Sequence, residues 1–483
     1  MDDPKMLRIN QGMDFNPQCV AIHSDNNPEW LAVDQWATAK QCVIVPVPHF
    51  FTATQIAGMV DQAGVDSVFC QAEALPLWLS LGFQQVAVFG ALTVLARTPP
   101  SVVNLPENTH KITFTSGSTA QPKGVCLSLS HLQTVGQSLA NATSRLGLSK
   151  HLSVLPYSIL LENMAAVYAN QFANKGQGLD IVSVPMAEVG LQGSGHFQPE
   201  KLVEALIKHQ ADSLIMMPAM LKALLQYLSN HPNNLSSVKF MAVGGAVCPP
   251  ALIRQAHEMG LPVFQGYGIS ECGSVICLKK ELSEVGSVGR PLSHARLSLD
   301  DNKQIIYRGP RFLGYLGDTT HDSGDKYKQD HYATGDTGVI DQQGRLTILG
   351  RLTHLIVNGF GRNISPEWIE AELLALAAIQ QVMVVGDGQD FLTALCVSEH
   401  DEETLFQLIQ PINSQLPDYA RIQAVICVAP FNEANGTLTA TGKLIRHEIY
   451  QQHLPQLEQI YDKYTSASQN GNSLLTVMSS NGR

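Results

Sequence analysis

The feature that most constrains this chain is an alternation of short apolar runs with longer amphipathic stretches through roughly its first 350 residues. The apolar runs at 43–45, 213–217 and 238–243 stop at Pro46, Pro218 and the pair Gly244-Gly245, and a further run lies at 67–70. Between and after them, residues 52–63, 200–209, 220–228 and 250–259 carry helical spacing, with Gly64 closing the first and Pro199 opening the second. A repeated strand–helix rhythm of this kind predicts an α/β architecture on largely parallel sheets. The length of 483 residues predicts two or more domains, each with enough apolar material for its own core.

Beyond residue 297 the rhythm changes. Short runs at 304–307, 338–340 and 345–349, with a turn at 341–344, predict a β-rich subdomain that Gly350-Arg351 closes. A compact α+β unit follows, with strands at 355–357, 381–385, 391–397 and 424–428 and helices at 366–377 and 402–416. The expected organisation is a large N-terminal domain, 1–350, of stacked βα sheets plus the β-rich subdomain, then a small α+β C-terminal domain, 351–462. Residues 463–483, rich in Ser, Asn and Gly from Ser466 onward, read as a disordered tail.

Charge excludes some functions. A net charge of -11 with no basic stripe argues against nucleic-acid binding. Nine dispersed cysteines without a C-x-x-C pair predict reduced thiols and a cytoplasmic setting. No apolar run reaches the roughly 18 residues of a membrane span. The N-terminus also lacks the basic flank and apolar stretch of a signal peptide.

Chemistry concentrates at 115–124. Four hydroxyls (Thr115, Ser116, Ser118, Thr119), two glycines (Gly117, Gly124), Pro122 and Lys123 follow the short run 112–114. Such a loop wraps backbone N–H groups and hydroxyls around a polyphosphate, with one ammonium to balance charge. A Walker loop needs G-x-x-x-x-G-K-[ST]. Here Pro122 stands in the place of the second glycine and Gly124 follows the lysine, so kinase and GTPase readings lose support.

The pattern T-S-G-S-T-x-x-P-K-G-V resembles the phosphate loop of the adenylate-forming (AMP-binding) superfamily of acyl-CoA synthetases, luciferases and peptide-synthetase adenylation domains. Further segments match in order. Val243-Gly244-Gly245-Ala246 is similar to the adenine-side turn, and Gly266-Tyr267-Gly268-Ile269-Ser270-Glu271 to Y-G-x-[TS]-E. Thr334-Gly335-Asp336 is similar to T-G-D, and Gly350-Arg351 with the run from Gly361-Arg362 to Glu370 resembles the hinge and the start of the mobile domain. Thr441-Gly442-Lys443-Leu444-Ile445-Arg446 resembles T-G-K-x-x-R. The matches span residues 112 to 446; each is modest alone, and their joint order is specific.

The resemblance implies a division of labour. Thr115, Ser116, Gly117, Ser118, Thr119 and Lys123 would hold the β- and γ-phosphates of ATP, and Glu271 with Thr115 would bind Mg²⁺, whose hard character suits oxygen ligands. Gly244, Gly245, Ala246, Gly266, Tyr267, Gly268 and Ser270 would line the nucleotide, with Tyr267 stacked on adenine. Asp336 would accept from the ribose hydroxyls with help from Arg351. Lys443 would be the catalytic lysine, neutralising charge as a carboxylate attacks the α-phosphate, with Glu271 and Thr115 completing the catalytic set. Lys443 lies far along the chain from the phosphate loop. The small domain would therefore swing about Arg351 and Thr353 to deliver it, one orientation serving adenylation and a rotated one thioester formation. Taken alone, Lys443 reads as a surface lysine, Asp336 as a turn residue and Tyr267 as a core aromatic.

For the acid, the segment 155–168 supplies Tyr157, Ile159 and Leu160 as the expected acyl pocket, with Glu162 its lone acid. An unpaired substrate ammonium would be costly there. An apolar acyl chain follows, and the phrasing around Ser270 and in N-I-S-P-E-W-I-E is closest to fatty acyl-CoA synthetases. Met216, Met217 and Met220 would add soft lining, or plain core. The reading is a ligase that adenylates a medium- or long-chain fatty acid and passes it to coenzyme A, with Arg362 facing the CoA phosphates. Loading of a phosphopantetheinyl acyl carrier protein, a non-catalytic nucleotide-binding role and a luciferase-like oxidative use stay open. The chain departs from the pattern at Ala120, usually Gly, at Thr353 in the hinge and at Ile159 in the acid gate.

Overall fold

The structure is a computed structural model. It describes residues 7–9, 15–49, 51–99, 103–115, 122–192, 196–233, 235–246, 248–279, 281–282, 285–318, 330–358, 362–439 and 442–469. The strands expected at 43–45 and 67–70 form as Val43–Pro46 and Ser67–Cys70 and sit with Cys19–His23 and Thr109–Thr115 at the centre of a nine-stranded sheet. Its order is Leu7–Ile9, Gln84–Phe89, Leu92–Ala96, Ser67–Cys70, Cys19–His23, Val43–Pro46, Thr109–Thr115, Lys123–Ser128, Gly314–Tyr315. Only the centre is parallel. The expectation of largely parallel sheets is corrected at both sides, where the strands pair antiparallel. The physical reason is loop length: connections such as Gly90-Ala91 are too short for the crossover that a parallel neighbour needs.

A second, seven-stranded sheet runs Asp180–Val182, Lys150–Leu152, Ser213–Met216, Phe240–Val243, Val263–Tyr267, Cys277–Leu278, Arg290–Pro291. The first five strands are parallel. Ser213–Met216 is buried along its whole length, which is why it reads as one continuous apolar run. The helices between these strands pack Leu202, Leu206, Leu221, Leu224, Leu225 and Ile253 against the sheet. Pro218–Asn230 starts two residues before the expected 220, because the fixed φ of proline suits a first helical turn. Ala53–Ala63 is set by a reciprocal cap: Gln55 N–H donates to Thr52 Oγ1 at 3.2 Å, and Thr52 N–H donates to Gln55 Oε1 at 2.9 Å.

The β-rich subdomain is a four-stranded antiparallel sheet of Arg296–Leu299, Gln304–Arg308, Tyr332–Ile340 and Leu346–Arg351. Its third strand is longer than the run at 338–340 and includes Thr334-Gly335-Asp336. The hydroxyls permit this: Thr334 Oγ1 donates to Ile305 O at 3.0 Å and Thr337 Oγ1 to Gly350 O at 3.2 Å. In the small domain Gln381–Val385, Leu392–Val397 and Ile422–Cys427 form a sheet covered on both faces. Val382 and Val384 face the core of Ile369, Leu373 and Ile409, while Met383 and Val385 face that of Ile449, Leu457 and Tyr461. The final helix, Arg446–Gln469, runs past the expected boundary at 462, which corrects the start of the tail; residues 470–483 lie outside the described residues.

All nine cysteines are free. Among the described residues no helix is long and apolar enough to cross a membrane.

His110 and His131 are buried, and burial pushes each down to about 4, assisted by the Lys111 ammonium for His110 and by His294 for His131. Between 6.5, the unperturbed value, and about 4 the unfolded chain binds protons that the folded chain refuses. Stability should therefore fall as pH drops through that window, by up to about 1.4 kcal/mol per pH unit for each histidine. Urea unfolding checks this: the midpoint should be lower near pH 5 than near pH 7, and an unchanged midpoint would contradict it.

Candidate active site

Open α/β sheets bind ligands outside the carboxyl ends of their parallel strands. In the second sheet those ends lead into Met217, Gly244-Gly245-Ala246 and Gly266-Tyr267-Gly268. Gly245 has φ 83, and a Cβ there would come within 2.9 Å of Met217 Sδ. Glycine is thus required by both backbone and space. Ser270 and Glu271 follow in the short turn Ser270–Cys272.

Asp336 is the anchor of this corner. It is buried and lies in register opposite Arg351 on the neighbouring strand. Arg351 Nε donates to its Oδ1 at 2.7 Å, and Tyr267 OH donates to its Oδ2 at 2.8 Å. Burial disfavours the Arg351 charge, but Asp336 more than offsets this and holds its pKa above the ordinary value. Burial and then Asp336 push the Tyr267 hydroxyl well up, so it remains a donor.

Glu271 lies in the same corner, reached through Tyr332 on the strand that carries Asp336. Tyr315 OH donates to Glu271 Oε1 at 2.8 Å and lies 3.5 Å from Tyr332 OH. Tyr315 belongs to the edge strand Gly314–Tyr315, which pairs with Lys123–Ser128. The Lys123 ammonium sits 5.8 Å from the centre of the Tyr315 ring. Thr115 is the register partner of Lys123, its Oγ1 3.5 Å from Lys123 O. Thr115, Lys123, Tyr315 and Glu271 therefore form one chain of contacts, although Glu271 lies far from the loop in sequence. Ser116, Gly117, Ser118, Thr119 and Ala120 lie outside the described residues.

Lys443 arrives from the small domain on a tight hairpin. Thr439 N–H donates to Lys443 O at 2.8 Å, Lys443 N–H to Thr439 Oγ1 at 3.1 Å and Ile445 N–H to Thr437 O at 2.9 Å. The residue keeps solvent access along its stem, while its ammonium end is crowded by the surrounding groups. Burial and then Arg351 lower its pKa, while Asp336 and Glu271 oppose them. These influences come from the residues just described.

Sequence reasoning missed the scaffold under this hairpin. Arg446 makes a bidentate pair with Glu370, with Nη1 to Oε1 at 2.8 Å and Nη2 to Oε2, and Glu370 Oε1 also accepts Val384 N–H at 2.7 Å. Glu367 Oε1 takes His354 Nδ1 at 2.5 Å, and Ser365 Oγ donates to Leu349 O at 2.5 Å. The hairpin root is thus wired to the short turn Leu352–His354 that carries Thr353. Gly350 permits this closeness, since a Cβ there would meet Ser365 Oγ at 2.0 Å. The only sequence signal was the acid spacing Glu367/Glu370, one helical turn apart.

The expected acyl pocket divides. Tyr157 is fully buried beside Trp30, and its OH donates to Ser153 Oγ at 3.0 Å. Leu160 is buried in the core with Leu132 and Met164. Ile159 and Leu161 are partly buried at the edge of the core of the second sheet. Met216 and Met220 are core, while Met217 faces Gly245. Glu162 is fully buried with its Oε1 2.9 Å from His151 Nε2, so it does not front the cleft. Asn163, just beyond, accepts from Lys111 Nζ at 2.7 Å, and Lys111 also donates to Asp34 at 2.6 Å. That buried trio ties the strand ending at Thr115 to the segment carrying Ile159.

This architecture defines a class. Residues 5–314 match the AMP-binding enzyme family, and residues 354–465 match the AMP-binding enzyme C-terminal domain. The chain belongs to the AMP-binding enzyme family, and its fold is that of adenylate-forming enzymes. A 2-succinylbenzoate–CoA ligase of Enterococcus faecalis is 29% identical over 365 residues, 71% of this chain and 69% of that one. A 3-[(3aS,4S,7aS)-7a-methyl-1,5-dioxo-octahydro-1H-inden-4-yl]propanoyl:CoA ligase of Mycobacterium tuberculosis is 25% identical over 401 residues, 76% of this chain and 75% of that one. Among solved structures, the o-succinylbenzoate CoA synthetase of Bacillus subtilis with its acyl-adenylate intermediate superposes with TM-score 0.70 at 20% identity, over 89% of this chain and 88% of that one.

Proposed function

We propose that this protein adenylates a carboxylic acid with ATP and Mg²⁺ and passes the acyl group to the thiol of coenzyme A. The observation that carries the reading is convergence: Lys443 from the small domain feels both Asp336 and Glu271, which share one corner, Glu271 bound to Tyr315 beside Tyr332 and Tyr332 on the strand that carries Asp336. In this reading Thr115 and Lys123, with Ser116, Gly117, Ser118 and Thr119, grip the leaving pyrophosphate. Asp336, held by Tyr267 and Arg351, accepts from the ribose hydroxyls. Lys443 spans the carboxylate and the α-phosphate, offsetting the charge that builds as the carboxylate oxygen attacks and pyrophosphate departs.

The donors present fit Mg²⁺. Glu271 and Thr115 offer hard oxygens, and no group of three or more His, Cys, Asp or Glu that could cage a metal exists among the described residues. A cation there would share the phosphates as ligands, as Mg²⁺ does, and would supply charge neutralisation. Arg351 and Thr353 are the proposed pivot for the turn between the two half-reactions, and Arg362, which is exposed, the proposed contact for CoA phosphates.

For the acid, the partly buried Ile159, Leu161 and Met217 favour an apolar body. Glu162 pairs with His151, so it offers no counter-ion for a substrate ammonium. A medium- or long-chain fatty acid is the first reading. The ring-bearing acids named for the two curated relatives favour a compact cyclic acid as the second.

Carboxylate-dependent ATP–pyrophosphate exchange across linear fatty acids, aryl and fused-ring acids and amino acids tests this. Exchange is expected with an apolar acid and not with amino acids. No exchange with any acid would overturn the reading. Supplying CoA against a loading-ready carrier protein then separates the acceptors.

A further inference from the structure

Lys222 makes an unusual contact between the two domains. It lies on the large-domain helix Pro218–Asn230, which Met217 precedes. Its ammonium donates to Leu374 O at 2.8 Å, Leu376 O at 3.3 Å and Ile379 O at 2.8 Å. Those carbonyls belong to the end of the small-domain helix Pro366–Leu374 and the turns after it.

A helix end leaves carbonyls without intrahelical partners, and it carries partial negative charge. An ammonium has three donors, and all three are used here. Among the described residues Lys222 forms no salt bridge, so the contact is not a surface ion pair that can slide. It is a three-point clasp whose geometry depends on domain orientation. The orientation it fixes is the one in which Ser365 of the small domain bonds Leu349 O and Lys443 feels Arg351, Asp336 and Glu271. The clasped helix also carries Glu367 and Glu370, which hold Arg446 at the root of the Lys443 hairpin.

We propose that Lys222 is a positioning residue for the adenylation step, clasping the small domain in the orientation that delivers Lys443 and releasing it for acyl transfer. This rests on the proposed two-orientation ligase. Lys222 touches none of the reacting groups and acts through the placement of Lys443.

The test compares half-reactions in Lys222→Met, which keeps the apolar stem, and Lys222→Glu, which sets a negative charge against the carbonyls. Lys222→Met should slow ATP–pyrophosphate exchange about tenfold, the scale of a charge-assisted hydrogen bond. Thioester formation from supplied acyl-adenylate and CoA should be undiminished, and Lys222→Glu should lose more exchange than Lys222→Met. Loss of both half-reactions in proportion, or of neither, would overturn the clasp. A readout independent of turnover is tryptic cleavage after Arg351 with ATP present: faster cutting in both variants supports the clasp, and wild-type rates in both overturn it. Wild-type protein that exchanges with no acid, while the variants are cut faster, would remove the proposed reaction and leave the clasp standing.

Discussion

Lys443→Ala is expected to lower carboxylate-dependent ATP–pyrophosphate exchange by about a hundred- to a thousandfold. That is the usual cost of removing one donor aimed at transition-state charge. The expectation follows from where the two lysines stand. Lys123 rests over Tyr315, beside the strand that ends at Thr115, and in the proposed reading holds the departing phosphates. Lys443 reaches the cleft from the opposite domain and feels Asp336, Glu271 and Arg351 together. The substitution removes an exposed side chain and leaves the hairpin's backbone bonds intact, so the fold should be unaffected. Thioester formation from supplied acyl-adenylate should continue, since it does not need this charge. Exchange that survives within about threefold of wild type, well short of the range above, would remove Lys443 from the chemistry.

Arg446→Met is expected to cost about 3–5 kcal/mol of small-domain stability. Glu370 is 5% exposed, and with Arg446 gone its carboxylate would keep only the Val384 N–H among the bonds described above. Burial already pushes the Glu370 carboxyl up, and Arg446 is the largest influence against that. Denaturant unfolding of the variant measures the loss. The paired change Arg446→Met with Glu370→Leu should recover part of it, because no buried charge is then left alone. A single variant as stable as wild type would show that the pair contributes nothing net.

Residues whose role depends on order along the chain were legible from sequence. Thr115, Glu271, Asp336 and Lys443 were each unremarkable alone, yet their succession singled them out as candidates, and Asp336 and Glu271 both act on the Lys443 ammonium. Residues whose role depends on a partner were not legible. Tyr315 is one aromatic in a glycine-rich turn, and nothing nearby in sequence announces Glu271 as its acceptor. Lys222 sits on an amphipathic helix like any solvated lysine, and its partners are backbone carbonyls more than 150 residues away. Apolar residues were ambiguous for a different reason. Tyr157, Met216 and Met220 have the same hydrophobic character whether they line a pocket or fill a core, and periodicity cannot separate the two. Strand ends were misjudged where hydroxyls satisfied the ladder, as with Thr334 and Thr337.

The edge strand Gly314–Tyr315 has a kinetic consequence. It closes the first sheet by pairing with Val125 and Cys126, contacts made almost 190 residues apart. Long-range closures of this kind are slow, because chain entropy is lost before the contact rewards it. The approach of Lys123 to the Tyr315 ring depends on that closure. During refolding, the two parent sheets can thus become native-like while the corner proposed to hold cation and phosphates is still unmade. Recovery of the proposed exchange activity is then expected to trail the recovery of secondary structure.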